Sequence, residues 1–198
     1  MPLPTVLTAR DLPAPELGGM RLDGEVYALA DGWCPIDELE GPAHRARAVR
    51  GERSERLIAE LGTAAWVWGV TPTLPRVVEF CVDLGARARL RISPIVRVRE
   101  LVLDPGDRVD LGGEPGRPGG PGGAGGAAVT SRLRTAVDLA RFRDPLSADD
   151  EASIVELAQQ GGFGLEECRE LMDRRRNLPE KRRALARLTA LLEGSRLP

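Results

Sequence analysis

The chain has 198 residues, 42% hydrophobic, 4% aromatic and 29% charged, with a formal net charge of −2. That content excludes a globally disordered chain and suffices for one large domain or two small ones, with an aliphatic core. The small net charge hides segregation: residues 1–41 carry eight acids against Arg10 and Arg21, net −6, whereas residues 169–187 are net +5.

In chain order, residues 1–41 are punctuated by Pro and Gly. Met20–Leu29 reads as a small hairpin, with Asp23-Gly24 as its two-residue turn. From Pro42 to Arg50 an Ala/Arg helix is predicted, with Pro in its first turn. The apolar block Thr63-Ala64-Ala65-Trp66-Val67-Trp68-Gly69 predicts a short buried helix, capped by Thr63 and stopped by Gly69. Arg76–Asp83 and Ile95–Leu103 read as strands; in the second, Val96, Val98 and Leu101 alternate with Arg97 and Arg99. Val109–Leu111 and Ala127–Val129 are two further short strands. The Gly/Pro tract 112–126 between them reads as an extended hairpin loop. Everything after Thr130 is helical: Ser131–Arg143, Ser147–Gln160, Leu165–Arg176 and Pro179–Glu193. Thr130 or Ser131 caps the first of these and Ser147 the second, whose first turn is favoured by Asp149, Asp150 and Glu151. Leu185, Leu188, Leu191 and Leu192 form the buried stripe of the last. The expected architecture is α+β in three segments. Residues 1–41 form a short N-terminal part with a hairpin, 42–143 a central body with a small mixed sheet and short helices, and 144–198 a helical region.

Several chemistries are poorly served. A single histidine, His44, reads as a solvated residue and completes neither a catalytic triad nor a histidine-rich metal site. Cys34, Cys81 and Cys168 show no C-x-x-C pairing and read as buried hydrophobes, not as a disulfide framework. The Gly tract lacks the Gly-Lys-Ser/Thr of a phosphate loop. Glu79 and Asp83 lie on a strand as metal-nuclease carboxylates do, but Cys81 stands where that chemistry wants a lysine. Asp104, Asp107 and Asp110 read as a solvated turn. No run of about 18 apolar residues marks a membrane span, and Met1–Arg10 lacks signal-peptide character. The expectation is a cytoplasmic, non-catalytic protein without cofactor, metal or small-molecule substrate.

Arginine is the one unusual component. Of 28 basic residues only Lys181 is a lysine, which leaves 27 arginines. GC-rich codon usage produces the same excess, so placement matters more than number. Three groups are candidates for binding a partner or nucleic acid, since a guanidinium grips carboxylate or phosphate with a planar fork. They are Arg45, Arg47 and Arg50 on the first helix; Arg97 and Arg99 on a strand, preceded by Arg87, Arg89 and Arg91; and Arg174, Arg175 and Arg176 with Lys181, Arg182 and Arg183.

One segment carries a resemblance. Thr130–Ala140 spells T-x-x-x-R-T-x-x-D-L-A at a strand-to-helix junction, with Arg134 and Asp138 able to pair four residues apart. Preceded by Gly24-Glu25-Val26-Tyr27 and then the Thr63–Gly69 block, in the family's order, it resembles the AbiEi-like antitoxin family. These proteins are the transcriptional-regulator half of type IV toxin–antitoxin systems. The resemblance implies Thr130, Arg134, Thr135 and Asp138 as family-motif positions. It also implies a winged-helix N-terminal part, repression of the protein's own operon and a nucleotidyltransferase-like toxin as partner. The acidic charge of residues 1–41 runs against the positive surface that phosphate contact needs. The expectation is therefore a protein partner first and DNA second, with a stand-alone nucleic-acid-binding regulator as the alternative.

Overall fold

The structure, a computed structural model, describes residues 4–85, 94–112 and 126–194. Arg87, Arg89, Arg91 and most of the Gly/Pro tract lie outside the described residues. The fold is mixed α+β.

The N-terminal lobe holds helix α1 (Ala14–Leu22) and a hairpin of β1 (Val26–Leu29) and β2 (Gly32–Pro35). Leu7, Leu17 and Val26 form its small apolar cluster. Helix α2 (Pro42–Arg50) then leads to β3 (Ile58–Ala59) and α3 (Leu61–Trp68). Next come β4 (Val78–Asp83), β5 (Val96–Leu101), β6 (Arg108–Leu111) and β7 (Ala127–Thr130). Helices α4 (Arg132–Phe142), α5 (Ala148–Gly161), α6 (Leu165–Asp173) and α7 (Lys181–Gly194) complete the described chain.

The main sheet has the order β5-β4-β3-β7-β6. Its pairs β4–β5 and β3–β7 are parallel, and β3–β4 and β6–β7 antiparallel. Strand side chains alternate between faces. Val98, Phe80, Ala59, Val129 and Val109 therefore align across one face and join the main core. Arg99, Cys81, Ile58, Ala128 and Asp110 align across the other, with an apolar centre and charged ends. Helices α2 and α3 pack on the sheet, and α4 joins α3 to α5, α6 and α7. One apolar core runs from Val6 to Leu188, so the three sequence segments share an interior. Among the described residues no helix is long and apolar enough to cross a membrane.

Several expectations need correction. The hairpin turn is not Asp23-Gly24. Helix α1 occupies the preceding residues, Asp23 caps its C-terminus, and the turn falls at Ala30-Asp31 between β1 and β2. Pro13 and Pro15 permit that helix because they sit at its N-cap and first turn, where no proline N–H is missed. Thr63 is not a cap: α3 begins at Leu61, and the buried Thr63 hydroxyl accepts the Glu79 N–H at 2.8 Å. Leu101 shares the face of Arg97 and Arg99, not that of Val96 and Val98, and packs with Ile58 and Cys81. Helix α6 ends at Asp173, so Arg175 and Arg176 follow the helix instead of covering its last turn. Other expectations hold. Ser131 and Ser147 cap α4 and α5, and Gly69 ends α3 in the left-handed conformation. All three cysteines are free and buried.

Candidate functional site

The motif segment builds a buried polar junction where β7 passes into α4. Ser131 Oγ accepts the Arg134 N–H at 3.3 Å and starts the helix. The Thr130 and Thr135 hydroxyl oxygens lie 2.7 Å apart, and the Thr135 hydroxyl also reaches the Ser131 carbonyl at 2.9 Å. One proton per hydroxyl fixes a consistent pattern: Thr130 donates to Thr135, which donates to the backbone. The Trp68 indole N–H donates to the Thr130 carbonyl at 2.9 Å, locking α3 to the junction.

Arg134 occupies the centre. Its Nε donates to Asp138 at 2.7 Å and its Nη1 to Asp107 at 2.7 Å. The other Asp138 oxygen accepts from Arg141 at 2.8 Å, and Arg141 Nε donates to the Pro179 carbonyl at 3.1 Å. The other Asp107 oxygen accepts from Arg174 at 3.3 Å. Arg175 reaches Asp104 at 3.2 Å. The junction thus ties the turn before β6, the start of α4 and the α6–α7 connection into one knot. Its centre is buried: Asp107 and Asp138 are each 1% exposed. Burial opposes the charge on Arg134, but Asp138 and Asp107 outweigh it and raise its pKa. At Arg141 burial wins over Asp138 and lowers the pKa.

A second ionic group lies on the same sheet face as Cys81. Arg99 grips Glu60 with a two-point fork at 2.7 and 2.6 Å and stacks 4.1 Å from the Phe142 ring centre. Burial raises Glu60 to about 7 despite that fork. Beside it, Arg143 grips Glu79 at 3.1 and 2.6 Å, and the exposed Arg97 stands 3.7 Å from the same carboxylate. With Glu79 engaged by Arg143 and Arg97, it does not form an open pair of metal ligands with Asp83. Among the described residues no group of His, Cys, Asp and Glu could hold a metal ion.

The remaining candidates divide into two kinds. Arg45 is turned inward: it pairs with Glu40, donates to the Trp66 carbonyl at 2.9 Å and lies over the Trp66 ring. Arg50 donates to the Gly126 carbonyl at 2.8 Å. Arg183 is spread over Asp144, Glu180 and the Arg141 carbonyl. Arg47, half-buried, and the exposed Arg176 and Arg182 have no carboxylate partner among the described residues. His44 is not solvated: its side chain is mostly buried, 3.7 Å from Glu38, with neither ring nitrogen hydrogen-bonded.

Sequence reasoning missed the roles of Asp107, Arg141, Glu60 and Arg143. Arg141 was recoverable, since it stands three residues after Asp138 on one helix. Asp107 was not, since its partners Arg134 and Arg174 are remote in sequence and its local setting, Asp104-Pro105-Gly106-Asp107, reads only as a turn. No family model and no curated protein matches the chain.

Proposed function

We propose that the chain is an antitoxin-like regulator of the AbiEi kind. It would be a non-enzymatic cytoplasmic protein that binds a nucleotidyltransferase-type toxin and secondarily represses its own operon. The observation that carries this reading is the fit between T-x-x-x-R-T-x-x-D-L-A and the junction. Thr130, Arg134, Thr135 and Asp138 all have buried partners, as residues defining a shared scaffold should. The resemblance therefore rests on fold-determining residues instead of on surface composition. A protein partner is favoured over DNA because most candidate arginines are already engaged. Arg45, Arg50, Arg99, Arg174, Arg175 and Arg183 all bond to carboxylates or carbonyls of their own chain. An arginine so engaged has less to offer a phosphate backbone.

The direct test is co-expression of the tagged chain with a nucleotidyltransferase encoded beside it. A complex surviving size-exclusion chromatography, together with relief of the enzyme's toxicity, is the expected result. A neighbouring enzyme that neither co-purifies nor loses toxicity would overturn the reading.

A further inference from the structure

The connection between α6 and α7 borders an open groove of roughly 570 Å³. Leu178 and Leu185, both half-buried, give it an apolar component, and Arg176, Lys181, Arg182 and Arg183 outnumber the single acid of its lining, Glu180, which pairs with Arg183. Two of these cations are already engaged, Lys181 by Asp173 and Arg183 by Asp144. Arg176 and Arg182 are exposed and have no carboxylate partner among the described residues. The fitting occupant presents apolar side chains framed by uncommitted carboxylates.

The N-terminal lobe of the same chain presents such a surface. The Ile36 N–H donates to the Glu25 carbonyl at 3.0 Å, bringing the Leu22–Glu25 segment beside the chain leaving β2. Leu22, Ile36 and Leu39 are 89%, 68% and 90% exposed, unusually bare for large aliphatic residues. Around them Asp23, Glu25 and Asp37 are exposed and have no basic partner among the described residues, whereas Glu38 and Glu40 face His44 and Arg45. The lobe packs on α2, while α6 and α7 pack on α4 and α5, and the groove of a single copy stands open.

We propose that the groove at the α6–α7 connection binds the acidic, apolar N-terminal lobe of a second copy of this chain. Complementary charge orients the contact, and the leucines give it its apolar centre. Nucleic acid fits less well, since a phosphate backbone has no use for Leu178 and Leu185. The contact joins unlike patches, so each copy offers both halves. This inference does not depend on the antitoxin reading.

Sedimentation velocity of the full chain tests it. At about 100 μM protein, species heavier than the monomer are expected at low salt, and association weakens on the order of tenfold between about 50 and 500 mM NaCl. Arg176→Glu with Arg182→Glu should leave a monomer, as should Asp23→Lys with Asp37→Lys. Mixing the two variants should restore association, because each reversed patch meets a complementary one. All four positions are exposed, so unchanged thermal melts will certify the folds. A wild-type chain that stays monomeric at low salt overturns the proposal. So does association indifferent to both reversals, or a monomer whose groove takes up an anionic oligonucleotide.

Discussion

Arginine serves two neighbouring regions of this molecule differently. At the β7–α4 junction Arg134 and Arg141 are buried, and each donates to more than one acceptor. A few residues beyond α6, Arg176 is exposed and forms no ion pair among the described residues, as does Arg182 on the first turn of α7. The side chain and its charge are the same; the energetic meaning is opposite. A buried guanidinium is tolerable only while its acceptors remain, so it constrains the fold. An exposed one contributes little to stability and is available for other contacts.

The sharpest way to break that contrast is at Asp138, the carboxylate shared by the two buried arginines. Asp138→Ala leaves both guanidinium groups short of an acceptor and should cost about 3–5 kcal/mol, read as a lowered denaturant midpoint. A loss below about 1 kcal/mol would mean that the junction does not depend on the pair.

The second effect concerns Glu60 and is seen in pH. Its folded pKa of about 7 lies above the 4.5 of an ordinary carboxyl, so the folded state holds its proton more tightly than the unfolded chain. The associated stability is full below pH 4.5 and is lost as pH rises through about 7. The swing is on the order of 3 kcal/mol. Glu60→Gln, which cannot ionise, should remove this contribution. The stability difference between wild type and variant should change across that window and be flat above it. Parallel curves from pH 4.5 to 7 would contradict the assignment.

At the small end, Arg176→Ala and Arg182→Ala should each change stability by less than about 0.5 kcal/mol. A larger loss at either position would show that the outer arginines belong to the framework after all.

Elements with local signatures were legible in sequence, whereas partners were not. The strand alternation of Val96 and Val98, the caps at Ser131 and Ser147 and the stop at Gly69 each follow from a few neighbouring residues. Helix α1 was hidden because prolines signal breakage unless their exact place in the first turn is known. The pairing of Arg134 with Asp138 was visible from spacing, but its burial was not. Burial depends on α3, the Asp104–Asp107 turn and the α6–α7 connection closing over the helix. Arg97 and Arg99 read alike in sequence, yet the first is largely exposed and the second grips Glu60. The motif pattern marked a segment that the structure buries, and remote contacts set its surroundings.

The knot around Asp107 also limits where the polypeptide can be divided. Cutting the chain between α5 and α6 looks harmless from the capped ends of those helices, at Gly162 and Gly164. Yet Arg174 supplies one of the contacts to Asp107, and the Pro179 carbonyl receives Arg141. A fragment ending at residue 162 would keep the whole T-x-x-x-R-T-x-x-D-L-A pattern and lose both. It would also strip α4 of its packing against α6 and α7. The last two helices are thus no detachable appendage: they close the interior in which the motif is buried.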